Sequence, residues 1–155
     1  MKTYRRILIP MSHDGRGEIL LQRAAALLPA RRGELMVVRV LDTRTGFESD
    51  GPAGTLPGER EARRIPQVRR QLDRMLARHD LSWAEARVVC GAPSPAMVDI
   101  IRDWQPDLVM TCGRWAPEAW VQDSPSPSPD ILTVNCHGLF TRLGQVFGAV
   151  AHGHA

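Results

Sequence analysis

The stretch from Val88 to Gly113 reads VVCGAPSPAMVDIIRDWQPDLVMTCG, and its three parts decide the fold. Val88-Val89-Cys90 is a short apolar run closed by Gly91, the pattern of a strand buried on both faces. Ser94 and Pro95 then predict a helix start, with the serine as cap and the proline at the first helical position. Met97, Ile100, Ile101 and Trp104 recur with helical spacing and mark the face turned to the core. Pro106 stops that helix, and Asp107-Leu108-Val109-Met110 opens a second buried run ending at Gly113. Two fully apolar strands joined by a helix belong to a parallel sheet, whose faces only helices can cover.

The alternation extends in both directions. Ile7-Leu8-Ile9, inside the segment Tyr4 to Met11, is a further buried run, followed by turn chemistry at Asp14, Gly15, Arg16 and Gly17. Leu20, Ala24, Leu27 and Leu28 form one stripe of a helix closed by Pro29 and Gly33, and Leu35 to Leu41 is a strand broken only by Arg39. From Asp42 to Gly58 the glycines and prolines leave no apolar period, which predicts a long loop. Ile65, Val68, Leu72, Met75 and Leu76 share a helix face; Pro66 marks the start of the regular helix, which ends by His79-Asp80. Pro125, Pro127 and Pro129 forbid a helix interior, so only a short helix over 117–122 precedes the last strand, Ile131 to Val134. The expected fold is α/β, a five-stranded parallel sheet that is doubly wound. Leu139, Phe140, Leu143, Val146, Phe147 and Val150 predict an extra C-terminal helix over 139–150, packing on the sheet or on a second copy. The chain divides accordingly into a domain over residues 1–138 and an extension over 139–155.

At 155 residues, 43% apolar and 24% charged, the chain is large enough for one domain with its own core and is neither fibrous nor wholly disordered. No run approaches the length of a membrane span, and the charged start followed by only a short apolar run is not that of a secretory signal. Three widely spaced cysteines, Cys90, Cys112 and Cys136, read as reduced thiols of a cytoplasmic protein. Lys2 is the only lysine beside nineteen arginines, and the formal charge is +3. Arg60, Arg63, Arg64, Arg69, Arg70, Arg74 and Arg78 outnumber Glu59, Glu61, Asp73 and Asp80, so one helix carries the chain's whole excess. That face suits an acidic protein partner; no nucleic-acid or membrane partner is expected.

The order and spacing of these segments resemble the universal stress protein family. The resemblance rests on Tyr4 to Pro10, Val37-Val38-Arg39-Val40, the long second loop, Gly91 to Ile101, Pro106 to Gly113 and Asp130 to Val134. It implies a three-layer sandwich of the adenine nucleotide alpha hydrolase-like or flavodoxin-like type, with ligands at the carboxyl ends of the strands. Many members resembling this pattern bind ATP, through an acidic residue after the first strand and a glycine-rich run after the fourth. Here Ser12 holds the acidic position, with Asp14 two residues later. Gly113 matches the first glycine, but Ala116 replaces the second, and the final pair falls on Ser126-Pro127, where the proline has no N–H.

Ser12, Asp14 and Val40 on one side and Gly113, Arg114, Ala116 and Ser126 on the other thus outline a vestigial nucleotide cleft. The expectation is a non-catalytic stress-response binding protein with no bound cofactor. The first alternative is an ATP or adenine-nucleotide switch of the same family. The resemblance also implies a homodimer, through the edge strand Ile131, Leu132, Thr133, Val134 and Asn135. In the family's strand order, His13, Cys112, Cys136 and His137 lie near one end of the sheet. That set allows a thiol- or metal-based sensor as a second alternative, although no metal site is assigned. Trp115 and Trp120 either anchor a partner or plug the cleft.

Overall fold

The computed structural model describes residues 2–12, 16–28, 32–42, 57–113, 115–122, 124 and 126–136. Strand and helix alternate as β1 (Arg6–Pro10), α1 (Glu18–Leu27), β2 (Glu34–Leu41), α2 (Pro57–Arg78), β3 (Glu85–Cys90), α3 (Pro93–Trp104), β4 (Leu108–Cys112), α4 (Glu118–Val121) and β5 (Asp130–Val134). The strands form one parallel sheet in the order β3-β2-β1-β4-β5. The chain winds outward from β1 to β3 and then returns to β4. The order therefore reverses between β1 and β4, where loops diverge and open sheets of this kind place their ligands.

Side-chain alternation along the central strands builds two apolar layers. Ile7, Ile9, Leu35, Val37, Leu108 and Met110 face α1 and α2, whose Leu20, Leu21, Ala24, Leu72 and Leu76 complete one layer. Leu8, Met36, Val38 and Val109 face the other way, against Met97, Ile100 and Ile101 of α3 and Trp120 of α4. At the amino end of the sheet, the Asp107 carboxylate accepts the backbone N–H of Arg5 at 2.8 Å and of Arg6 at 2.9 Å. The Asp107 N–H donates to the Arg6 carbonyl at 2.9 Å, and the Asp130 N–H to the Asp107 carbonyl at 3.0 Å. One aspartate thus fixes the starts of β1, β4 and β5 together and leaves the opposite end for a ligand or partner.

Three local expectations are corrected. Pro66 does not start its helix: α2 begins at Pro57 and carries Pro66 inside. Val68, Leu72 and Leu76 are buried and anchor the part of α2 that follows Pro66. Ser94 is not the cap of α3 either. The N-cap is Ala92, extended at φ −69° and ψ 132°, with no side-chain cap. Pro93 and Pro95 fall in the first turn, where the absent N–H groups had no helical partner to lose. The strand expected over Val88 to Cys90 begins at Glu85, because exposed Glu85 and buried Ala86 already alternate on the edge of the sheet.

Candidate functional site at the carboxyl ends of β1 and β4

Beyond β1 the Met11 N–H donates to the Val38 carbonyl at 2.8 Å, prolonging the β1–β2 ladder by one residue. The Met11 side chain is buried against the start of α1. Gly17, the N-cap of α1, lies so close to it that a Cβ there would overlap the Met11 Sδ and Cε. A larger residue there would require the flexible end of the Met11 side chain to move aside. The Met11 thioether thus lies beside the first turn of α1. Ser12 follows, half-buried, and on the neighbouring strand Val40 is half-buried beside the α3 layer. Ser12 and Val40 thus stand at the sheet end where the cleft was expected.

On the β4 side Gly113 is exposed, with open space where a Cβ would be. The connection to β5 then turns back on itself. The Trp115 N–H donates to the Cys112 carbonyl at 3.3 Å, the Ala119 N–H to Ala116 at 3.4 Å, and the Trp120 N–H to Pro117 at 3.0 Å. The Ser124 N–H donates to Val121 at 3.2 Å. Pro117, Pro127 and Pro129 have no N–H at all. A cradle for phosphates needs several converging N–H groups, and in this connection many are already committed or missing. Ala116 and Ser126 are exposed on the same connection.

The space above β4 is taken by tryptophan. Trp120 is 3% exposed, in one cluster with Leu8, Val38, Met97 and Val109. Its ring meets Trp115 edge to face, with centroids 5.4 Å apart and planes at 66°. The Trp120 Nε1 points to the Ser94 Oγ at 3.5 Å, a long and weak bond. Trp120 is thus a core residue of the layer between the sheet and α3–α4, which is neither of the two roles expected for it.

The cysteines are the clearest correction. Cys112 and Cys136, expected as separate thiols, are joined by a disulfide, with Cα atoms 5.9 Å apart. Cys112 pairs with Val134 in the β4–β5 register, and Cys136, two residues on, falls on the same face of the sheet. The sequence signal was this equal parity at the ends of neighbouring strands. His13 and His137, the other members of the expected set, lie outside the described residues, as do Asp14, Arg114 and the 139–150 segment. Among the described residues no cluster of histidine, cysteine and carboxylates is arranged to hold a metal ion, and no helix is long and apolar enough to cross a membrane.

The opposite end of the sheet holds the structure's shifted titrations. The Tyr4 hydroxyl donates to Asp130 Oδ2 at 2.8 Å, and the Lys2 Nζ donates to the same oxygen at 2.6 Å. Burial, the bond to Asp130 and the nearby Asp130 and Asp107 charges push Tyr4 up to about 12. The Lys2 and Tyr4 hydrogen bonds hold Asp130 below the usual carboxylate range. This cluster ties the N-terminus to the start of β5 and lies far from the crevice.

A parallel five-stranded sheet with its reversal between β1 and β4 defines a doubly wound α/β domain. The profile of the universal stress protein family matches residues 3–114, and the chain belongs to that family. A search among curated proteins finds no match. Among solved structures, the hypothetical protein MJ0577 is similar at 16% identity, covering 86% of this chain and 97% of that one with a TM-score of 0.67. A universal stress protein in complex with cAMP matches at 16% identity over 87% of this chain and 99% of its own, with a TM-score of 0.58. The universal stress protein from Archaeoglobus fulgidus in complex with dAMP matches at 15% identity over 85% and 98%, with a TM-score of 0.52. At such identities the likeness is one of fold.

Proposed function

We propose that this chain is a non-catalytic, cytoplasmic regulatory member of the universal stress protein family, acting by binding a protein partner rather than a nucleotide. The carrying observation is the β4–β5 connection. Trp120 fills the layer above β4, and the N–H groups of Trp115, Ala119, Trp120 and Ser124 are committed to local carbonyls. The residues present do not fit a triphosphate: Ala116 and Ser126-Pro127 stand where a glycine-rich run is needed. The protein forms a homodimer through β5, the edge of the sheet, where Ile131 and Leu132 are half-buried and Thr133 and Asn135 exposed. Residues 1–138 constitute the family domain and 139–155 an extension.

The second reading, an adenine-nucleotide switch, is favoured by two observations. Structures of similar fold are described in complex with cAMP and dAMP, and Gly113 keeps open space at the mouth of the crevice. Denaturing the purified protein and measuring adenine absorbance in the supernatant separates the two. The first reading expects none, whereas stoichiometric release establishes the second.

A further inference from the structure

The geometry points to Cys112 and Cys136 as a reversible thiol–disulfide pair, exchanging with a low-molecular-weight thiol of the glutathione class. The inference is independent of whether the crevice holds a nucleotide. It rests first on register. Cys112 ends β4 opposite Val134, and Cys136 lies two residues further along the β5 direction on the same face. The Cα separation of 5.9 Å lies within the range of bonded cysteines. It rests next on context. A domain of this size with two apolar layers has no need of a staple, and a single cysteine pair is not the framework of a disulfide-rich scaffold. Cys90 ends β3 at the far edge of the sheet, outside the pair, and serves as an internal reference.

Accessibility orders the steps. Cys112 is 9% exposed and Cys136 1%. An incoming thiolate RS⁻ therefore attacks the Cys112 sulfur. The S–S bond breaks, RS–S–Cys112 forms, and the electron pair leaves on Cys136 as its thiolate. A second RS⁻ attacks the R-group sulfur of the mixed disulfide, giving RSSR and the Cys112 thiolate, and both protein thiolates take up protons from solvent. Oxidation by RSSR runs the same steps in reverse. Opening the bond removes the covalent tie between β4 and Cys136, two residues past the end of the edge strand proposed for dimerisation.

The test uses the full chain, equilibrated in buffers graded from reduced to oxidised glutathione, acid-quenched, alkylated and mapped by mass spectrometry. The expected result is a cross-linked Cys112–Cys136 peptide in the oxidised buffers. It gives way to two alkylated peptides in the reduced ones, with Cys90 never in the cross-link. In Cys136→Ser, glutathione is expected on Cys112, several-fold more than on Cys136 in Cys112→Ser. Full alkylation of both cysteines in oxidised buffer overturns the pair. A cross-link that survives reduced glutathione under native conditions overturns its reversibility. Since the wild-type chain alone decides both points, poor folding of a variant leaves the test intact.

Discussion

Replacing Trp120 by alanine removes the most deeply buried tryptophan of the α3–α4 layer. The ring is 3% exposed and clusters with Leu8, Met36, Val38, Met97 and Val109, so the change leaves a cavity as well as losing transfer free energy. Buried Trp→Ala changes cost about 3–5 kcal/mol. The edge-to-face contact with Trp115 adds about 0.5–1.5 kcal/mol, whereas the long Nε1 bond to Ser94 adds little. With only four residues in α4, collapse of the site has little to draw on, and a loss of about 4 kcal/mol is expected. For a domain of this size that is a fall in Tm of about 8–16 °C. Trp120→Phe keeps most of the ring and should lose about 1–2 kcal/mol. Urea unfolding followed by circular dichroism measures both, with the midpoint shifted and the slope unchanged. A loss for Trp120→Ala below about 1 kcal/mol at unchanged slope would show a solvated ring and refute the plugged layer.

Tyr4 is the sole tyrosine, so its ionisation can be followed by ultraviolet absorbance without overlap from another phenol. It should titrate near 12 in the folded protein, and Asp130→Asn should lower that only in part, because burial is the larger cause. The folded state holds this proton more tightly than the unfolded state, so the cluster's contribution is complete below the ordinary value of 10 and lost as pH rises toward 12; a folded-state midpoint at 10 refutes it. For Asp130 the sign is opposite: its contribution is present at neutral pH and disappears as acid carries the pH below its lowered value. Asp107→Ala strips two backbone N–H groups of their acceptor and should destabilise by about 2 kcal/mol in urea unfolding, with no loss expected only if water replaces both bonds. Ile131→Lys places a charge on the β5 edge and should turn a dimer into monomer by analytical ultracentrifugation; an unchanged dimer would place the interface elsewhere.

The layers were legible because Val88 to Gly113 carries both periods with punctuation between them, and Ile7 to Ile9 repeats the strand pattern. What misled were local signals. Pro66 reads as a helix start, yet α2 begins nine residues earlier and carries it inside. Ser94 reads as a cap, but Pro93 has already set the first helical turn one residue earlier. At the site, Gly113, Ala116 and Ser126-Pro127 were singled out only through the family resemblance. The burial of Trp120 and the thioether over Gly17 could not, because both depend on what crosses the sheet from another element. The cysteine pair stood between these cases. Parity along β4 and β5 was visible, but only the register brings the two sulfurs together.

The claim that this family member binds without a nucleotide is tested most directly by isothermal titration calorimetry. ATP, and separately cAMP, would be titrated into the full chain after denaturation of a sample has shown it free of bound adenine. No saturable heat up to about 1 mM ligand, a binding free energy weaker than about −4 kcal/mol, is the expected result. A stoichiometric isotherm in the micromolar range would contradict it. The β4–β5 connection would then have to rearrange around phosphates.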